Sequence, residues 1–228
     1  MEIKLLAITE KAEKLIEQCG RTCYKSFDKK NKKFIRTLIK SGHHSVLEHA
    51  SATFMIRGIS RALTHQLVRH RLASFSQESQ RYVDEKGMYE NQYYVTPLCV
   101  EEMQDIKVSE ALGIECSATV KEYYDNIIKM ISYNYEELKK IFAYGKEKDI
   151  IKKGKINEDA RFILPNACCS EIAITANFRE WRHIIELRSD KHAQWEIRTV
   201  SNQILEILYS KAPSVFEDLY YKFIKGLV

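Results

Sequence analysis

An α+β fold, with helices packed against a mixed β-sheet, is predicted by three stretches of this 228-residue chain. Residues 51–60 alternate Ala52, Phe54 and Ile56 against Thr53, Met55 and Arg57, the period of a half-buried strand. Residues 171–178 do the same, with Ile172, Ile174, Ala176 and Phe178 set against Ala173, Thr175 and Asn177. Residues 115–143 carry Val120, Tyr124, Ile127, Ile128, Ile131, Tyr135, Leu138 and Phe142 at helical spacing, which marks a long packing helix. No repeat, low-complexity tract or linker divides these stretches, so residues 1–228 are expected to form a single domain.

The remaining elements follow in order. Residues 1–8 alternate as a strand. Residues 11–23 and 32–40 have helical patterns, joined by a Lys/Asn-rich turn at 28–33, and Ser41-Gly42 stops the second helix. Gly58 permits a bulge before the next helix. That helix is expected from Arg61 to Arg71, with Leu63, Leu67 and Val68 on one face and Arg61, His65 and Arg69 on the other. The polar run Ser74 to Arg81 then reads as a loop. Residues 84–113 are irregular and tyrosine-rich, with one short strand near 92–96; a stretch of this kind suits a cover over a site. Gly145 and the Lys-rich run 146–155 close the long helix as a solvated turn, and Pro165 ends a short helix over 157–164. A helix over 179–188 follows the second strand. Two last helices span 194–210 and 213–224, the second opened by Pro213 and striped by Phe216, Leu219, Tyr220, Phe223 and Leu227.

Composition narrows the function. Hydrophobic residues make up 45% of the chain, and no apolar run approaches the roughly 18 residues of a membrane span. The alternating start, Met-Glu-Ile-Lys-Leu-Leu, lacks a basic leader and apolar core, so a cytoplasmic protein is expected. A net charge of +5 suits anionic small molecules. The six cysteines show no Cys-x-x-Cys spacing and are expected as free core thiols, with Cys168-Cys169 more plausible as buried structure than as a nucleophile. His43, His44 and His49 cluster without a His-Glu-x-x-His pattern or a nearby cysteine, so no metal is expected there. Neither a Gly-x-Gly-x-x-Gly turn nor a Gly-rich Lys loop occurs.

What stands out is a dispersed set of cations. Arg69 and Arg71 flank His70, and at helical spacing would point about 200° apart, towards two surfaces. Guanidinium forks match phosphates bidentately. Arg188 ends the apolar stripe Trp181, Ile184, Ile185, where burial requires a polar partner, either a protein carboxylate or a ligand. With Arg81, Arg161 and Arg179, and with Gln66, Gln77, Ser79 and Asn177 close in sequence, the set suits planar phosphorylated ligands and a cofactor that performs the chemistry.

The run Arg69-His70-Arg71, seven residues, Ser79, then Arg81-Tyr82 resembles the signature of the flavin-dependent thymidylate synthase family. Gly42-His43-His44-Ser45-Val46-Leu47-Glu48-His49 upstream, and Leu187-Arg188-Ser189-Asp190 with His192-Ala193-Gln194-Trp195-Glu196-Ile197 downstream, extend the likeness over roughly residues 40–200. Ser76-Gln77 stand where many members have Asn-Glu. The resemblance implies thymidylate formation from 2′-deoxyuridine 5′-monophosphate (dUMP), with methylenetetrahydrofolate as carbon donor and NADPH as reductant through FAD. It implies FAD contacts from Ser45, Arg69, His70, Arg71, Gln77, Asn177, Phe178, Arg179 and His183. It implies a nucleotide site from Gln66, Arg69, Gln77, Glu78, Ser79, Gln80, Arg81, Arg161 and Arg188, with His43, Ser79 and Arg188 nearest the chemistry. It also implies a homotetramer with sites shared between protomers, and neither nucleic acid nor membrane as a partner. A nucleic-acid module would use the same arginines, but the aromatic residues, 11% of the chain, fall mainly in core stripes rather than among the cations. A non-catalytic nucleotide binder is the other alternative; turnover would tell it from an enzyme.

Overall fold

The structure is a computed structural model that describes residues 1–25 and 33–227. Strand β1 (Glu2–Ile8) pairs antiparallel with β2 (Ser51–Ser60), Ile3 opposite Ile56 and Leu5 opposite Phe54. Helices α1 (Ala12–Tyr24) and α2 (Phe34–Lys40) lie between them in sequence. The turn expected at 28–33 falls almost wholly outside the described residues. Gly42, at φ 75°, takes the left-handed conformation that ends α2 and leads into a 3₁₀ turn, His44–His49. Then come α3 (Arg61–Leu67), β3 (Ser74–Gln77), α4 (Leu98–Glu102), α5 (Val108–Leu112), α6 (Val120–Glu147) and α7 (Ile156–Ala160). The chain finishes with β4 (Cys169–Asn177), α8 (Phe178–Arg188), α9 (Trp195–Lys211) and α10 (Pro213–Phe223). The sheet order is β1-β2-β4-β3, and the expected α+β class is what the chain adopts.

Several expectations need correction. Ser74–Gln77 is the edge strand β3 rather than loop; a polar strand is stable there because one side stays in water. The strand expected near 92–96 is only a bridge between Tyr94 and Cys168. Gly58 bends the chain at φ 65°, but the register shift between β1 and β2 falls between Leu5 and Ala7. α3 stops at Leu67, four residues before Arg71. α6 starts at Val120 because Thr119 and Glu122 form a reciprocal capping box, with bonds of 3.2 and 2.8 Å. It also runs through Gly145, where an added Cβ would stand 2.9 Å from Ile151 Cδ1. Leu227 is exposed and takes no part in the α10 stripe, whose buried members are Val215, Phe216 and Leu219.

The chain divides into two compact units, each assembled from separated pieces. The first comprises Met1–Arg57, His65–Ser76 and Ile172–Val228. Trp181 is fully buried there, edge-on to Phe54 at 5.1 Å, and its indole N–H donates to the Ala52 carbonyl at 3.0 Å. Arg182 is buried beside it and grips Asp218 of α10 with both nitrogens, at 2.7 and 2.5 Å. The second unit comprises Gly58–Thr64 and Gln77–Glu171. One core cluster there is Met88, Ile128 and Cys168, with Tyr93, Tyr94 and Tyr124 packed against them. The tyrosine-rich 84–113 stretch is thus anchored, for Tyr94 donates to Asp125 at 3.1 Å and Tyr124 to the Val95 carbonyl at 2.9 Å. All six cysteines are free. Burial pushes the Cys168 thiol up to about 12, which makes it a structural group rather than a nucleophile. No described helix is long and apolar enough to cross a membrane.

Candidate functional site

In the first unit, the site begins where α3 ends. The His70 N–H donates to the Leu67 carbonyl at 3.2 Å, and the Ala73 N–H donates back to the His70 carbonyl at the same distance. This tight turn, not a helix, carries Arg69 and Arg71 outward and His70 inward. Both arginines are exposed and neither pairs with a carboxylate among the described residues, whereas His70 is only 5% exposed. Leu72, 78% exposed, follows as an apolar surface.

Arg188 finds its partner here. Its Nε–H donates to His70 Nε2 at 3.0 Å, and its Nη2 donates to the Gln66 carbonyl at 3.1 Å. Both acceptors are neutral, so the protein-carboxylate alternative falls away and the positive charge stays uncompensated by its hydrogen-bond partners. Burial pulls the guanidinium below its ordinary range. Burial, then the Arg188 charge and His183, lower His70 to about 4, so the imidazole is neutral. Its Nδ1 lies 3.6 Å from Glu180 Oε1, and its ring meets that of His183 edge-on at 5.8 Å.

Ligand atoms of His70, Glu180 and His183 all lie within 4.8 Å of one another. A cation would need His70 Nδ1 bare while Nε2 already accepts from Arg188, leaving the imidazole with no proton at all. With a guanidinium beside it as well, this group does not suit a metal ion.

The start of α8 borders the same region. Asn177 caps it, Oδ1 accepting the Glu180 N–H at 2.8 Å. One turn apart, Arg179 and His183 stand exposed on one face, and Arg179 reaches Glu48 of the 3₁₀ turn at 2.6 Å. These residues, with His44 and Leu72, line a cavity of about 630 Å³. Ser45 and His43 are exposed on and just before the 3₁₀ turn. Phe178 needs correction. Its side chain is fully buried, edge-on to Phe216 at 5.2 Å, so it is core and not a ligand contact.

In the second unit, the segment from Gln77 onward is held by its own neighbours. Gln77 Nε2 donates to Thr64 Oγ1 at 3.0 Å and Ser170 Oγ at 3.1 Å, so its amide nitrogen ties α3 to β4. Glu78 accepts the Tyr93 hydroxyl at 2.6 Å, and Ser79 Oγ accepts the Arg81 N–H at 3.4 Å. Arg81 pairs with Glu158 at 2.9 Å, and Arg161 Nε donates to the Glu158 carbonyl at 3.2 Å. Gln80 is buried with Nε2 unpartnered, close to a buried Glu85 whose Oε1 is also unpartnered. Burial, then the charge of Glu78, pushes the Glu85 carboxyl up to about 7.

Sequence reasoning missed Glu85, Glu158 and Glu180. Glu180 alone left a trace, as an acidic residue at the third position after the Asn177 cap. The other two read as ordinary surface carboxylates until folding buries Glu85 and pairs Glu158 with Arg81.

The profile of the thymidylate synthase complementing protein family matches residues 4–214. The chain belongs to that family. This confirms the likeness carried by the three motifs and places the chain among enzymes of the thymidylate synthase class. A flavin-dependent thymidylate synthase of Corynebacterium efficiens is 38% identical over 213 residues, covering 91% of this chain and 79% of that protein. One from Mycobacterium tuberculosis is 37% identical over 210 residues, covering 90% and 78%. The crystal structure of thymidylate synthase X from Helicobacter pylori with FAD and dUMP matches with a TM-score of 0.66. It covers 96% of this chain and 98% of that one; at 24% identity this is a likeness of fold.

Proposed function

We propose that the chain is a flavin-dependent thymidylate synthase. It reductively methylates dUMP, with methylenetetrahydrofolate as carbon donor and NADPH as reductant through FAD. The observation that carries the reading is Arg188, a partly buried cation held in direction by two neutral acceptors and so left to meet an electron-rich ligand. Family membership and the relatives' activity support it.

The residues of the first unit suit FAD, which when bound relays reducing equivalents from NADPH. Arg69 and Arg71, which pair with no carboxylate among the described residues, bind the diphosphate. Asn177, Arg179 and His183 supply hydrogen bonds around the cavity, Ser45 supplies one from the 3₁₀ turn, and Leu72 offers an apolar face to a flat ring. His70 supports Arg188 from below, and Gln66 does so through its carbonyl.

Arg188 acts on the uracil ring. Its planar fork stabilises negative charge on N3 and the flanking carbonyl oxygens, which makes C5 a better nucleophile towards the methylene carbon. Preorganised donors aimed at developing charge supply much of an enzyme's rate enhancement, and partial exclusion of water strengthens them. Glu78, Ser79, Gln80, Arg81 and Arg161 in the second unit serve the nucleotide's phosphate and sugar, and His43 lies near the substrates. We read the assembly as a cytoplasmic homotetramer with sites shared between protomers, taking small molecules and neither nucleic acid nor membrane as partners.

The test is thymidylate formation from dUMP with FAD, NADPH and methylenetetrahydrofolate, each omitted in turn. Product is expected only with the complete mixture. No product in that mixture, or full product without FAD, overturns the reading.

A further inference from the structure

Glu180 belongs to none of the motifs, yet it is buried to 5% exposure at the edge of the first unit's cavity. Its backbone N–H is capped by Asn177, which leaves the carboxyl as the part to be explained. That carboxyl faces one nitrogen of His70, while the other nitrogen faces Arg188.

The tautomer follows from donor chemistry. A guanidinium Nε–H can only donate, so the His70 Nε2 at 3.0 Å must carry no proton. A neutral imidazole then holds its proton on Nδ1, directed at Glu180 Oε1 3.6 Å away. The other tautomer would set two donors against each other at Nε2 and aim a bare nitrogen at the Glu180 carboxyl. At 3.6 Å the contact is longer than a hydrogen bond, but burial of both groups strengthens the attraction relative to water. His183 is the remaining titratable neighbour, edge-on and exposed.

We propose that Glu180 is a positioning residue. By holding the proton of His70 on Nδ1, it keeps Nε2 an acceptor and so fixes the direction of the Arg188 guanidinium. The consequence for turnover rests on the proposed role of Arg188 at the uracil ring; the tautomer itself does not.

The experiment has two arms, both on the full-length protein. In the first, ¹⁵N-imidazole NMR reads the His70 tautomer with and without FAD, assigned by comparison with His70→Gln. Wild type is expected as the Nδ1–H form, and Glu180→Gln, which keeps an acceptor oxygen, retains it. Glu180→Ala is expected to give a mixture of tautomers. In the second arm, Glu180→Ala lowers kcat for thymidylate formation about tenfold, with FAD affinity within about threefold of wild type. Arg188→Ala then costs much less in the Glu180→Ala background than in wild type, because the two residues act as one unit. An Nε2–H form in wild type, an unchanged tautomer in Glu180→Ala, or equal losses in the Gln and Ala variants overturns the proposal, as do strictly additive losses. If wild type forms no thymidylate, the proposed function fails and the NMR arm alone decides the role of Glu180.

Discussion

Arg81 Nη2 lies 2.9 Å from a Glu158 carboxylate oxygen, so the cation that the signature offers to a nucleotide phosphate is already held within its own unit. Both side chains are substantially exposed, and exposed pairs of this kind add little to stability. The pair is therefore easily exchanged for a phosphate, with Glu158 as a competitor. Glu158→Gln is expected to tighten dUMP binding about threefold and Arg81→Ala to weaken it about tenfold, in line with the strength of charge-assisted bonds. Calorimetric titration with dUMP checks both. A weaker-binding Glu158→Gln variant would show that Glu158 serves the nucleotide rather than restraining Arg81.

Among the described residues, neither Arg69 nor Arg71 in the first unit's turn pairs with a carboxylate that would compete for a phosphate. Each charge-assisted bond to a diphosphate is worth roughly 1.5–3 kcal/mol. Arg69→Ala and Arg71→Ala should each weaken FAD binding about tenfold or more, read from the flavin absorbance during titration. Unchanged affinity in both variants would remove the turn from the flavin site.

Arg188 should be intolerant of lysine. Lysine keeps the charge but loses the Nε–H that meets His70 and the planar fork that would meet the ring. Single-turnover oxidation of reduced flavin, with dUMP and methylenetetrahydrofolate present, should slow about 10²–10³-fold in Arg188→Ala, as when an oxyanion donor is removed. Arg188→Lys should be nearly as slow, with FAD still bound in both. Thymidylate formation within about threefold of wild type in either variant would make Arg188 structural.

The pH dependence of stability should show two opposed slopes. His70 sits at about 4 against an ordinary 6.5, from burial and then the Arg188 charge, so the unfolded chain takes up its proton first. That contribution is present above 6.5 and lost as pH falls towards 4. Glu85 sits at about 7 against 4.5, from burial and then Glu78, so the folded chain holds its proton longer. That contribution is present below 4.5 and lost as pH rises towards 7. Each amounts to something on the order of 3 kcal/mol and they largely cancel between about pH 4.5 and 6.5. Relative to wild type, Glu85→Gln should gain stability as pH rises through this window, and His70→Gln should gain as pH falls, measured as urea midpoints of the FAD-free protein. Parallel curves for all three would show that neither group is perturbed in the fold.

The sequence by itself determined the elements whose pattern is local. The alternation of residues 51–60 and 171–178 gives β2 and β4, and the 3.6-residue stripes give α6, α8 and α10. Linear spacing also carried the family, because Arg69-His70-Arg71 and Ser79 occupy one contiguous run. It marked Arg188 as a cation on an apolar stripe, but it could not say what Arg188 meets. That partner, His70, lies 118 residues away, and the partner of Arg81 lies 77 residues away. Such pairings depend on how strands and helix ends are set in three dimensions, which no local period encodes. The early end of α3 is of the same kind: it turns His70 inward between two outward arginines, where a continued helix would have set Arg71, four residues after Leu67, on the buried face of Leu63 and Leu67. Only the tertiary structure therefore decided which charges of the signature are free, which are partnered, and that the buried Glu180 stands behind His70.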